Sequence, residues 1–143
     1  SDTDGRIINS MVDDYVAKND NTIAFKSMGQ LNYLSALQFM DAVLGNSSSG
    51  LIEAPSFKIG TIDIGDRQKG RIKAMSVLSC LPKKESIDSA LVKLYSQKFQ
   101  DNINKVVNPY GLGGASKKIV KIIKNTNLDN IVKKSFFNLK SDF

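Results

Sequence analysis

Ala42-Val43-Leu44-Gly45-Asn46-Ser47-Ser48-Ser49-Gly50 is the stretch on which the fold turns. Ala42–Leu44 is short, apolar and closed by Gly45, the pattern of a strand buried in a parallel sheet. Asn46–Gly50 is rich in turn formers, and Leu51 to about Pro55 reads as a brief helix. A strand that passes through a tight turn into a helix is half of a βαβ unit.

The alternation extends in both directions. Upstream, Asp4–Lys18 carries Ile7, Ile8, Met11, Val12 and Tyr15 at helical spacing, with Asp4 placed to cap it. Thr22–Phe25 is a short apolar run expected to be a strand, and Leu31–Met40 a helix carrying Leu31, Leu34, Leu37 and Phe39. Downstream, Lys58–Ile64 reads as a strand, Gly65–Gly70 as a polar loop, and Ser76–Leu81 as a further extended segment. Glu85–Lys105 is expected to be the longest helix, with Ile87, Leu91, Leu94, Tyr95, Phe99 and Ile103 on or near one face. After the loop Val107–Gly114, Ala115–Lys124 reads as a helix with Ile119, Val120, Ile122 and Ile123 inward, and Asn127–Phe137 as a last helix. The expected fold is α/β, a Rossmann-like parallel sheet with helices on both faces. The alternation opens on a helix, which suggests an upstream strand and domain outside this sequence.

Composition narrows the chemistry. The 143 residues suffice for one compact domain with a core, and 41% hydrophobic with 24% charged residues is an ordinary globular balance. No apolar run approaches a bilayer-crossing length, and Ser1–Arg6 lacks the basic and apolar regions of a signal peptide. A single cysteine, Cys80, excludes an internal disulfide framework, and with these features suggests a cytoplasmic setting. There is no histidine, which removes the commonest general base and metal ligand; no metal and no cofactor are expected. The net charge of +6 favours anionic partners, and its cations gather in Arg67–Lys73, Lys117–Lys124 and Lys133–Lys140. The later clusters also fit the solvated faces of amphipathic helices.

In a doubly wound sheet, ligands sit beyond the carboxyl ends of the strands. Ser47, Ser48, Ser49 and Gly50 lie there, where free backbone N–H groups and hydroxyls can receive an anion. The same serines could simply cap the helix that follows. Glu53, about one turn on, can accept hydrogen bonds from a ribose diol, or can serve the helix dipole. Gly65-Asp66-Arg67-Gln68-Lys69-Gly70-Arg71 follows a strand and therefore falls on the same edge, where it suits a diphosphate or a solvated turn equally.

Taken together, Gly45–Phe57 and Ile64–Arg71, with Phe25–Leu34 and Asn108-Pro109-Tyr110-Gly111, resemble the UDP-N-acetylglucosamine 2-epimerases, most closely the hydrolysing branch of sialic-acid biosynthesis. The likeness runs from Asp4 to about Lys124. It implies a glycosyltransferase-B type architecture of two Rossmann-like domains, with this chain as the C-terminal one. Residues 1–130 would form the UDP-binding domain, and 131–143 would cross to an N-terminal domain, carrying Phe136-Phe137 onto it. Ser47 and Ser48 would hold the diphosphate with neighbouring N–H groups, Glu53 the ribose hydroxyls, Arg67 would lie beside the nucleotide, and Tyr33 along the uracil. The implied partner is UDP or UDP-N-acetylglucosamine, with neither nucleic acid nor membrane, and with room for a homo-oligomer of the full-length enzyme. The family's acid/base carboxylates belong to the N-terminal domain, so no catalytic residue is assigned here, and this chain alone is expected to be inactive. Two other readings stay open: a nucleic-acid-binding module suggested by the charge, and a regulatory α/β domain for another phosphoanion. Against the former, the chain has no tryptophan and no recognition-helix or stacking-sheet signature.

Overall fold

The computed structural model describes residues 4–129, 131 and 132. It divides into two compact units between Tyr110 and Gly111. In the first, α1 (Gly5–Lys18) and α2 (Gly29–Leu37) precede β1 (Ala42–Gly45). Then come α3 (Ser49–Ile52), a 3-10 turn (Ala54–Phe57), β2 (Gly60–Ile64) and β3 (Val77–Cys80). The unit ends with α4 (Lys84–Leu94) and α5 (Gln97–Ile103). The second contains α6 (Ala115–Asn125).

The three strands form one parallel sheet in the order β1-β2-β3. Gly45 pairs with Asp63 and Ile64 with Cys80, so the carboxyl ends of all three strands share an edge. Central β2 is buried along nearly its whole length, as a strand covered on both faces must be. Its side chains alternate between two cores. Ile62 joins Leu78, Ala90 and Leu94 of α4, with Phe99 of α5 packed beside them. On the opposite side, Leu37, Ala54 and Ile59 form a second cluster with Tyr33, Leu34, Val43 and Phe57. Helices thus cover both faces.

Thr61 points to that second side and meets α3 closely. Its Oγ1 donates to the Gly50 carbonyl at 2.8 Å. A Cβ on Gly50 would come within 2.5 Å of Thr61 Cγ2, so only glycine lets α3 lie this near the sheet.

Several elements differ from the sequence reading. Thr22–Phe25 is not a strand; it has no strand partner among the described residues, Thr22 bonds back to the Asn19 carbonyl, and Ile23 and Phe25 are exposed. An apolar run of this length becomes a strand only when a neighbouring edge accepts its hydrogen bonds. Helix α1 forms as expected, but Asp4 makes no side-chain capping bond. Glu85–Lys105 is two helices, because Ser96 caps the second. Its backbone is extended (φ −67°, ψ 143°) and its Oγ accepts from Phe99 N–H, while Gln100 Nε2 satisfies the Leu94 carbonyl at 2.7 Å. In α6, Ile119, Val120, Ile122 and Ile123 are exposed, not inward. Thr126 is extended and ends α6, and residues 127–129, 131 and 132 are not helical. The remainder of the expected last helix, Phe136-Phe137 and the Lys133–Lys140 cluster lie outside the described residues.

Candidate functional site

Two loops meet at the carboxyl edge of the sheet. The first leaves β1 at Gly45 and carries Asn46, Ser47 and Ser48 into α3. The second leaves β2 at Ile64 and runs through Asp66-Arg67-Gln68-Lys69, with Gly65 and Gly70 in left-handed conformations (φ +84° and +82°) that bend it back. The loops are tied together. Gln68, 3% exposed, donates from Nε2 to the Asn46 carbonyl at 2.7 Å, and Arg67 Nη1 reaches Asn46 Oδ1 at 3.4 Å. Between them opens a depression of about 420 Å³ lined by Gly45, Asn46, Ile64, Gly65, Asp66, Arg67 and Pro82.

The serine bend is only partly occupied by its own side chains. Ser47 Oγ accepts from Ser49 N–H at 3.3 Å, a local turn bond. Ser48 stands at the N-cap position of α3 yet makes no capping bond. Among the described residues, no intrachain hydrogen bond occupies the N–H of Ser47, Ser48 or Gly50. Ser49 is different: its hydroxyl bonds to that of Tyr33. The structure therefore brings Tyr33, from α2, against the bend, and the Ser49 hydroxyl is engaged within the chain.

Glu53 links α3 to the 3-10 turn, partly exposed, and its carboxylate has no hydrogen-bond partner among the described residues. Arg67 is exposed, with Asn46 as its side-chain contact. Lys73 belongs to the basic stretch but is not available to a ligand in the same way. Its Nζ donates to Asp63 Oδ2 and to Ser79 Oγ, both at 2.7 Å. Asp63 is 1% exposed, so this pair neutralises a buried carboxylate, a job that removal of either partner would leave undone.

Cys80, at the carboxyl end of β3, is the only cysteine. Burial, and then the negative charge of Asp63, hold its thiol above the ordinary range. It is a protonated sulfhydryl at neutral pH and a poor nucleophile.

Sequence reasoning placed both loops on one edge because every loop leaving a parallel strand emerges there. It quoted Gln68, Asn108 and Tyr110 within longer stretches but gave none of them a role of its own. Asn108 is 6% exposed and bonds the Ile52 carbonyl and Ser56 Oγ, at 2.8 and 2.7 Å. Tyr110 Oη donates to the Ile72 carbonyl at 3.0 Å. No local pattern signals Asn108, whose amide bonds across 52 and 56 positions of chain.

Among the described residues, no group of acidic, cysteine or histidine side chains could hold a metal ion, and no helix is long and apolar enough to cross a membrane.

Comparison with known proteins identifies the family. Residues 1–124 match the family model described as UDP-N-acetylglucosamine 2-epimerase. The chain is 39% identical over 141 residues to a GDP/UDP-N,N'-diacetylbacillosamine 2-epimerase (hydrolyzing) of Campylobacter jejuni, covering 97% of this chain and 36% of that protein. It is 31% identical over 128 residues to a Legionella pneumophila UDP-N,N'-diacetylbacillosamine 2-epimerase (hydrolyzing), covering 90% and 33%. It is also 40% identical over 94 residues to the Escherichia coli polysialic acid biosynthesis protein P7, covering 66% and 24%. The chain spans about a third or less of the length of these relatives. With a parallel sheet, a serine bend and a basic loop on one edge, and a family match over most of its length, the chain belongs to the UDP-N-acetylglucosamine 2-epimerase family.

Proposed function

We propose that this chain is the C-terminal, UDP-binding domain of a hydrolysing 2-epimerase acting on a UDP-linked 2-acetamido sugar. The observation that carries the reading is the joined pair of loops, in which Asn46 of the serine bend holds both Gln68 and Arg67 of the basic loop. Ser47, Ser48 and the free N–H groups of the bend donate to the diphosphate, with Arg67 supplying charge from the facing loop. Glu53 takes the ribose hydroxyls, and Tyr33 borders the uracil. The Ser49 hydroxyl, paired with Tyr33, holds the bend against α2.

The reaction assigned to the whole enzyme removes a proton from C2 of the sugar while the C1–O bond breaks. UDP departs with the electron pair, leaving a 2-acetamidoglucal. Water then adds across the double bond with inverted C2, giving the free 2-epimeric sugar; from UDP-N-acetylglucosamine the products are N-acetylmannosamine and UDP. Acid and base come from another domain. The share of this one is electrostatic: fixed donors at the diphosphate stabilise the charge that grows there as the bond breaks. The names of the Campylobacter and Legionella relatives favour N,N'-diacetylbacillosamine as the sugar, while the loops described here address the nucleotide.

Titration of the chain with UDP, GDP, ADP, pyrophosphate and single-stranded DNA tests the reading. UDP is expected to bind and to raise the melting temperature by mass action, with ADP and DNA weaker. Stabilisation by DNA alone, steeply dependent on salt, would replace it with the nucleic-acid reading. Equal response to all the phosphoanions would replace it with the regulatory one.

A further inference from the structure

We infer that Asn108 and Tyr110 are positioning residues that fix the spacing of the two loops of the site; this rests on the UDP-binding reading above. Neither lines the depression between the loops. Each bonds to the chain that continues one of them.

Asn108 holds the serine side. Both hydrogens of its amide are used, one on the carbonyl of Ile52, the last residue of α3, the other on Ser56 Oγ in the 3-10 turn. The serine bend is the other end of that same four-residue helix, so anchoring Ile52 anchors the bend. The amide oxygen accepts from Tyr110 N–H at 2.9 Å, so three of the side chain's four hydrogen-bonding positions are used. Tyr110 holds the basic side, where its hydroxyl donates to the carbonyl of Ile72, just beyond Arg71. Pro109 stands between them with a restricted φ, so the two grips keep a set separation. Gln68 and Arg67 tie the loops together at Asn46, and Asn108 and Tyr110 tie the segments that follow each loop. A diphosphate bridging Ser48 and Arg67 needs donors fixed to within a fraction of an ångström, and a frame closed on two sides supplies that.

Tyr110→Phe is the sharper test. The tyrosine is 43% exposed, and the change removes one hydroxyl while keeping the ring, so the fold should persist. UDP affinity, measured by calorimetry on the 143-residue chain, is expected to fall about 3–10-fold with an unchanged melting temperature of the free protein. Asn108→Ala is expected to lower both. In an Arg67→Ala background, Tyr110→Phe should weaken UDP no more than about 2-fold, because a residue acting through the Arg67 loop has little left to position. Wild-type affinity in Tyr110→Phe, or a full additive loss in the double variant, would overturn the brace while leaving the UDP reading intact. Failure of the wild-type chain to bind UDP would overturn the reading itself, and the brace with it.

Discussion

Helices α1 and α4 belong to the same unit and carry similar apolar stripes, yet they meet opposite fates. Ala90 and Leu94 of α4 are buried against Ile62 and Leu78 of the sheet. In α1, Ile7, Ile8, Met11, Val12 and Tyr15 are all exposed, Met11 by 65%. Part of that stripe, with Thr22 and Ile23, lines an open groove of about 490 Å³. Helical periodicity prescribes a stripe but not what covers it. A short connection from Cys80 to Lys84 folds α4 back onto the strand it has just left, whereas α1 is joined to the sheet through an unpaired segment and α2. The contrast teaches that the sheet recruits the helices tied directly to its strands.

The largest expected effect lies on the covered side. Leu94 is fully buried, and Leu94→Ala is expected to cost about 2–5 kcal/mol in urea unfolding through lost contacts and a residual cavity. A loss below about 1 kcal/mol would show that α4 is not seated as described. The opposite face is probed by overpacking. Gly50→Ala drives a methyl into Thr61 Cγ2, so α3 must shift, at about 1–3 kcal/mol. Because the serine bend opens α3, UDP affinity should fall with it. Loss of stability without loss of affinity would separate the bend from the ligand.

Cys80 reports on the same seating by chemistry. It packs beside the α4 cluster, and burial and Asp63 raise its thiol pKa. The raised value favours the protonated form in the folded state, so stability from this group is present below the ordinary thiol pKa and is lost as pH rises through the higher folded value. Alkylation by iodoacetamide at pH 8 is expected to be several-fold slower in the folded chain than in urea, since only the thiolate reacts. Equal rates would mean that the end of β3 is open.

The parts of the fold legible in the sequence were those fixed by local pattern. Ala42–Leu44 read as an apolar run closed by Gly45, Lys58–Ile64 as a strand and Ser76–Leu81 as an extended segment; β1, β2 and β3 form within or beside them, and the parallel order put the serine bend beside the basic loop. Thr22–Phe25 carried the same pattern without a pairing edge, which no single-segment reading can supply. The break at Ser96 was written in the sequence as a capping serine but masked by apolar spacing that continues through Leu94 and Phe99. At the site, residue type revealed which groups could face an anion. It could not reveal that Ser49 is paired with Tyr33, that Lys73 is committed to Asp63, or that Asn108 reaches Ile52 across 56 positions of chain.

The smallest expected effect is the most telling for the uncovered side. Met11→Ser replaces a large apolar side chain in the middle of the α1 stripe, a change that costs several kcal/mol in a packed core. Among the described residues nothing buries Met11, and a surface substitution away from caps and special backbone changes stability by no more than about 0.5 kcal/mol. Serine is a somewhat poorer helix former than methionine, which accounts for a few tenths of that figure. Urea unfolding of the variant should therefore overlay the parent curve in both midpoint and slope. A contiguous apolar stripe beside an open groove is the kind of surface that marks a docking site, and in this chain removing its central side chain should make little difference to the fold. A drop of 2 kcal/mol or more would mean that α1 packs against this unit in solution, and the contrast with α4 would disappear.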